Sequence, residues 1–133
     1  SNLDLFDEMK VLRYGMMEYW GLPSFNPVVM TCPTLLKMAS WGGANAIGKG
    51  DILGTVEEGK KADVILLNID QPHLTPTQNL INTVVEAANG HDVTDSVING
   101  KIVMKDREVL TLDEEKIRRE AQIHMEEIIK RAY

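Results

Sequence analysis

The stretch Gly54-Thr55-Val56-Glu57-Glu58-Gly59-Lys60-Lys61-Ala62-Asp63-Val64-Ile65-Leu66-Leu67-Asn68-Ile69-Asp70 governs how the rest of the chain is read. A glycine-bounded turn of acids and bases runs straight into the longest apolar run in the protein, Val64-Ile65-Leu66-Leu67. Glu57 to Lys60 reads as the turn, with Ile52 to Val56 a short strand before it. Ala62 to Ile69 is a strand too continuously apolar to have a solvent face, so it calls for neighbours on each side and layers above and below. Gly54 to Lys60 also has the form G-x-x-x-x-G-K of a phosphate loop. Lys61, however, stands where a Mg²⁺-binding hydroxyl is needed, Glu57 and Glu58 would repel a triphosphate, and a strand follows in place of a helix N-terminus. The reading as a turn feeding a buried strand prevails.

Working outward towards the N-terminus, Leu5, Met9, Leu12 and Met16 recur at the helical period and predict a helix over residues 3–19, flanked by Phe6 and Arg13. Asn2 is its expected N-cap, and Asp4, Asp7 and Glu8 suit the positive end of the helix dipole. Met9, Met16 and Met17 read as helical core. Gly21, Pro23 and Pro27 end the pattern. A second helix starts near Pro33, with Thr31 or Cys32 just outside it and Leu35, Leu36, Met38 and Ala39 as its apolar side. Gly42 and Gly43 interrupt it, and their neighbours Ala39, Ala44 and Ala46 predict a small-residue face pressed against another backbone. Gly48 or Gly50 closes the segment.

Towards the C-terminus, a loop with Pro72, His73 and Pro76 leads to a helix over Asn79–Ala88. There Leu80, Ile81, Val84, Val85 and Ala88 share a face, and Asn89-Gly90 ends it. Asn99-Gly100 between Val97-Ile98 and Ile102-Val103 is the preferred two-residue hairpin loop, because both residues tolerate positive φ. Asp106-Arg107 makes another turn before a short strand over 108–110. The last helix spans about 112–131, with a capping box of Thr111 and Glu114. Ile117, Ala121, Met125, Ile128 and Ala132 form its apolar stripe. Neither an internal repeat nor a low-complexity segment is present.

Composition bounds the function. With 133 residues, 44% hydrophobic and 26% charged, the chain matches one folded domain, not a disordered segment. A net charge of -6 with dispersed basic residues argues against nucleic acid and anionic membranes as partners. No apolar run approaches the roughly 20 residues of a membrane span, and acids at Asp4, Asp7, Glu8 and Glu18 rule out a signal peptide in the first residues. The single cysteine, Cys32, excludes an internal disulfide and a thiolate metal cluster, in keeping with a cytoplasmic setting.

Chemistry-bearing residues are few. His73, His91 and His124 have no ligand spacing among themselves or with Cys32. His124 sits at the edge of the last helix's apolar stripe and reads as a packing residue, whereas His73 and His91 lie in loops beside Pro72 and Asp92. The pairs Asp7-Glu8, Glu57-Glu58, Glu114-Glu115 and Glu126-Glu127 fall on solvated faces or in turns, with no apolar pocket to raise a pKa. Ser24, Ser40 and Ser96 lie in no nucleophile-elbow pattern. On these residues the expected catalytic, cofactor-binding and metal-binding sets are all empty.

Four stretches nonetheless resemble the C-terminal part of the metal-dependent amidohydrolase superfamily, nearest the branch of 5-methylthioadenosine/S-adenosylhomocysteine deaminases and triazine chlorohydrolases. Ser1-Asn2-Leu3-Asp4-Leu5-Phe6-Asp7-Glu8-Met9 is similar to its N-x-L-D-[ML]-F-x-E-M, and Leu36 to Ala44 to its L-x-M-A-T-x-x-G-A helix. Gly54 to Asp63 matches its G-[ST]-[IL]-E-x-G-K-x-A-D turn, and Val97 to Val103 its V-x-V-[ND]-G-x-x-V hairpin. Leu110 to Glu115 resembles the deaminase and chlorohydrolase tail.

The resemblance implies a parent (β/α)₈ barrel carrying a small β-sandwich built from both ends of the chain. This chain is then an α+β fragment: residues 1–48 are barrel-closing helices, 49–110 supply the C-terminal half of the sandwich with one inserted helix, and 111–133 form a helix packing back. The implied parent reaction is hydrolytic deamination or dechlorination of an aminopurine-like or triazine-like ring by metal-activated water, with zinc or another divalent metal. By the same resemblance the family's H-x-H pair, its further histidines, its acidic base and its metal-binding aspartate all precede Ser1. The chain alone is therefore expected to be inactive and to hold no cofactor. Its partners are expected to be the missing barrel and sandwich half of the parent, with self-association through uncovered apolar faces. The alternative is a free-standing, non-catalytic partner-binding module of the same fold.

Overall fold

A computed structural model describes residues 3–21 and 30–132. The chain forms a helical layer followed by an antiparallel sheet and a terminal helix. Helix α1 runs Leu5–Gly21, α2 Cys32–Lys37, and α3 Gly43–Ala46 after a π-helical turn over Met38–Gly42. Strand β1 (Val64–Leu67) precedes α4 (Leu80–Glu86); β2 (Val93–Ile98), β3 (Lys101–Lys105) and β4 (Glu108–Val109) then follow, and α5 (Glu114–Ala132) ends the chain.

Helix α1 starts where Asp4 Oδ1 accepts the Phe6 N–H at 2.9 Å; Asn2, the expected cap, lies outside the described residues. The buried line is Phe6, Met9 and Met17, while Leu5 is 55% exposed. Of the expected Leu5–Met9–Leu12–Met16 stripe, Met9 and Leu12 do face the core, while Phe6 and Met17 replace Leu5 and Met16 at its two ends. Arg13 lies on this line and is satisfied there, donating to the Met30 carbonyl at 2.7 Å and to Glu86 Oε1 at 3.0 Å.

Helix α2 is capped by the Thr31 side chain on Thr34 N–H, has Pro33 in its first turn, and buries Cys32 and Leu35. Gly42 and Gly43 do not break the helix as expected; they widen it into the π-helical turn that continues into α3. A Cβ on Gly42 would sit 3.3 Å from the Lys37 carbonyl oxygen, tighter than side chains normally tolerate. Of the predicted small-residue face only Ala44 meets another backbone closely, and Gly43 and Ala46 are exposed. Gly54, at φ +92°, is so close that a Cβ on it would fall 2.6 Å from Trp41 Cα and 2.9 Å from Ala44 Cβ. Gly48 closes α3 at φ +68°, its N–H and that of Lys49 returning to the Asn45 and Ala44 carbonyls.

The strand expected over Ile52–Val56 does not form. The N–H groups of Ile52 and Leu53 both fold back on the Lys49 carbonyl, and Gly54 is held in a left-handed conformation against Trp41, which extended pairing does not allow. The turn over residues 57–60 is present, closed by Lys60 N–H on the Glu57 carbonyl with Gly59 at φ +88°.

The sheet order is β1-β2-β3-β4, every pair antiparallel. Asn99 and Gly100 adopt φ of 50° and 77°, as their hairpin chemistry predicts, and Asp106 and Arg107 repeat the device at 48° and 67°. Leu67, Val93 and Met104 face the helical core of Phe6, Met9, Cys32, Leu35, Leu74, Val85 and Ala88. On the other face the register aligns Val64 with Val97 and Val97 with Ile102, and Leu66 follows Val64 at the strand period. On that face Leu66 is 55% and Ile102 50% exposed, Val64 and Val97 are half-buried, and Asp95 lies opposite Leu66. Strand β1 is expected to be buried on both sides; here only Leu67 packs against the helical core, and Ile65 and Leu66 are 50% and 55% exposed.

The terminal helix also differs from expectation. Asp113 caps α5, accepting Lys116 N–H at 2.9 Å, in place of a Thr111–Glu114 box. The expected apolar stripe is open to solvent, and no residue of α5 is buried.

Candidate functional site

Polar side chains converge on the three-residue turn Gly90–Asp92 between α4 and β2. Asn89 and Asp92 form a capping box around it: Asn89 Oδ1 accepts His91 N–H at 2.8 Å, and Asp92 Oδ2 accepts Asn89 N–H at 2.9 Å. The same Asp92 oxygen lies 3.0 Å from His73 Nε2, although the side chain of Asp92 is only 4% exposed. Burial pushes the Asp92 carboxyl up, but the hydrogen bonds from His73 and from Asn89 outweigh it and hold the group below the usual carboxylate range. From α1, Asp4 Oδ2 accepts Gly90 N–H at 2.8 Å. From the sheet side, Asn68 N–H reaches the Asp92 carbonyl, and Arg107 Nη1 donates to the His91 and Val93 carbonyls.

The expected loop histidines are thus both part of one junction, His73 through its ring and His91 through its carbonyl, with Arg107 Nη2 lying 3.4 Å from His91 Nδ1. His124, expected at a packing boundary, is instead exposed and 3.8 Å from Glu127. Asp92 is the site residue that sequence reasoning missed. Its signal was the Asn89-x-x-Asp92 spacing of a capping box, read there as a helix end.

His73 also lines an open cleft of about 340 Å³ with Thr75, Asn79, Asn82, Thr83 and Glu86. Glu86 is committed behind it, holding Arg13 and lying 3.6 Å from Cys32 Sγ. Burial pushes the Cys32 thiol up, so it is a packed side chain and not a reactive thiolate. In the Gly54–Lys61 turn, Lys60 Nζ is spent on the Gly50 carbonyl at 3.0 Å and on Glu57 at 3.6 Å, away from any phosphate-binding role. Ser40 is likewise committed to the Leu36 carbonyl, and Ser24 lies outside the described residues.

This chemistry organises structure. Among the described residues, no three or more of His, Cys, Asp and Glu are arranged to hold a metal ion, and no helix is long and apolar enough to cross a membrane. The fold and its turn motifs define a class: residues 1–103 match the amidohydrolase family model, and the chain belongs to the amidohydrolase family.

The relatives narrow the class. The chain is 40% identical over 117 residues to a 5-methylthioadenosine/S-adenosylhomocysteine deaminase of Desulforamulus reducens, covering 88% of this chain and 26% of that protein. It is 38% identical over 131 residues to a 5'-deoxyadenosine deaminase of Methanosarcina mazei, covering 98% of this chain and 29% of the relative. Among solved structures, an adenosine deaminase from Xanthomonas campestris with bound zinc superimposes with a TM-score of 0.88 at 26% identity, over 95% of this chain and 28% of that one. An atrazine chlorohydrolase from Arthrobacter aurescens with zinc shares the fold at a TM-score of 0.72 and 22% identity, over 86% and 25%. The chain therefore spans little more than a quarter of the length of these relatives. Both of these solved relatives hold zinc, but the described residues of this chain offer no set of ligands for one.

Proposed function

We propose that this chain is the C-terminal part of a metal-dependent deaminase acting on adenosine-type nucleosides, and that its role there is architectural. Its helices close the barrel, and its sheet supplies one half of a composite sandwich. The supporting observation is the outer face of the sheet. Leu66 and Ile102 are half-exposed there beside the half-buried Val64 and Val97, and covering the exposed pair contributes up to roughly 1.5–3 kcal/mol per side chain. A second sheet packed about 10 Å away is the standard cover for such a face. The similarity to named deaminases over nearly the whole chain points to the same parent.

On this reading the partners are the remaining barrel and sandwich strands, and without them the same face drives copies of the chain together. The metal-activated water belongs to the remaining part, and a cytoplasmic setting suits the whole. The test is to assay the chain alone, and then with the rest of its polypeptide, for zinc content and for ammonia release from 5'-deoxyadenosine. Activity and stoichiometric zinc are expected only in the second case. Either one on the chain alone overturns the proposal.

A further inference from the structure

We propose that β1 is an interior strand of the native sheet, and that an extended segment from the rest of the polypeptide pairs along its free edge. This rests on the reading above that the chain is one part of a longer protein, and adds to a face-on cover a strand joined in the plane of the sheet. The two edges of the sheet differ in kind. β4 is two residues long, follows the charged turn Lys105-Asp106-Arg107 and carries Glu108, all devices by which natural sheets blunt an edge. β1, the other outermost strand, is Val64-Ile65-Leu66-Leu67, with no charge, proline or glycine to protect it.

Side chains and backbone both call for a neighbour on this edge. Across the β2 pairing Ile65 stands opposite Ser96 and Leu66 opposite Asp95, so the two half-exposed apolar side chains have polar neighbours on the side that is filled. Their apolar neighbours must come from the side that is open. A sheet laid over the outer face would reach Leu66 but not Ile65, which strand alternation places on the opposite face with Leu67. The backbone gives the same direction. The Ala62 carbonyl accepts Gly100 N–H and Asn68 N–H donates to the Asp92 carbonyl, so the even-numbered residues of this segment turn their polar groups towards β2 and its hairpin. Ile65 and Leu67 turn theirs to the free edge, where they meet no backbone partner among the described residues. The partner that fits is a segment of at least the four residues of β1, offering N–H and C=O groups to Ile65 and Leu67 and apolar side chains beside Ile65 and Leu66. The remaining polypeptide is its source, since the chain spans little more than a quarter of the length of its relatives.

The experiment measures scalar coupling across hydrogen bonds in the whole, isotope-labelled polypeptide, which links an amide nitrogen to the carbonyl carbon that it bonds. Coupling is expected from the amides of Ile65 and Leu67 to carbonyls outside residues 1–133, and it should persist when labelled protein is diluted into an excess of unlabelled protein. Burial without strand pairing gives no such coupling, however slowly those amides exchange. The proposal is overturned if both amides lack it, if the carbonyls lie within residues 1–133, or if dilution removes it, which would make the partner a second copy. A second reading compares Ile65→Pro with Ile65→Ala in the same polypeptide. Both lose the isoleucine, but only proline removes the outward N–H. Proline is tolerated where that N–H faces solvent and not where it joins a ladder. The urea midpoint of Ile65→Pro should therefore fall roughly 1 M below that of Ile65→Ala; coincident midpoints overturn the pairing. Zinc content and ammonia release of the native polypeptide test the parent reading separately. A zinc-loaded, active protein without the coupling sinks the added strand and leaves that reading standing.

Discussion

His73 and Asp92, separated by a full helix in sequence, meet through Nε2 and Oδ2 at 3.0 Å, with the aspartate almost wholly removed from solvent. The pair fastens the segment before α4 to the turn after it, so α4 is clamped at both ends. Val85, near the C-terminal end of α4, is fully buried in the helical core.

Removing that clamp has a calculable cost. Asp92→Ala leaves the His73 ring and the Asn89 N–H without their acceptor, and a destabilisation of about 2–3 kcal/mol is expected. Urea unfolding should show it as a lower midpoint with an unchanged slope. Asp92→Asn, which keeps one acceptor oxygen but no charge, should lose less.

The same carboxylate gives the fold an acid limit. Its folded pKa lies below the ordinary aspartate value, so the unfolded chain binds the proton more readily. The stabilisation is present above the ordinary carboxylate value and is lost as pH falls through the folded one. Melting temperature measured from neutral to acidic pH should fall more steeply for the native chain than for Asp92→Asn; parallel curves would assign the acid loss to other carboxylates.

Core and terminal helix should respond oppositely to truncation. Leu35 is 1% exposed in the helical core, and Leu35→Ala is expected to cost about 2–5 kcal/mol. Ile128 is 65% exposed on α5, and Ile128→Ala should stay within about 0.5 kcal/mol. Paired chemical denaturation curves decide the matter.

The outer sheet face makes a prediction about association. Leu66→Lys, placed on that exposed row, should leave the unfolding midpoint of the isolated chain nearly unchanged and shift light scattering towards monomer. In the presence of the rest of the polypeptide it should abolish assembly. An isolated chain that is already monomeric, with no change on substitution, contradicts the role given to this face.

Gly54 offers a backbone test. At φ +92° and in contact with Trp41, Gly54→Ala combines strain with a collision against main chain, and a loss above about 1 kcal/mol is expected. Gly59→Ala, at φ +88° with open space around it, should cost less, and the difference between their melting temperatures isolates the collision.

These residues also show where sequence is legible. Asn99-Gly100 declared its hairpin because the turn is decided by the φ preferences of its own two residues. Thr31 and Pro33 announced α2 for the same local reason. In α1 the middle of the apolar stripe, Met9 and Leu12, is legible, but its ends are not, since Leu5 and Phe6 are both apolar and only tertiary contact chooses between them. Asp113 displaced Thr111 as the cap of α5, both being good cap residues two positions apart. The strand over Ile52–Val56 failed because Gly54 is captured by Trp41 and Ala44, a contact that no local pattern encodes. The junction of Asp4, His73, Asp92 and Arg107 draws on four distant segments, and only the Asn89–Asp92 spacing was visible in one of them. The family turn from Gly54 to Asp63 is plain from the sequence, yet its Lys60 turns out to be occupied with Glu57 and with the Gly50 carbonyl.

Helix α5, with no buried side chain, is thermodynamically a tethered peptide. Its helicity rests on what its nineteen residues and the preceding Asp113 cap supply: acids at the first turn, bases at the last, and the spaced pair Lys116 and Glu120. A helix of this length with no packed face is marginal in water, and salt and temperature set how much of it forms. Its ellipticity therefore reports on the surrounding solution until some surface closes over the isoleucines, at which point the segment joins the cooperative unit.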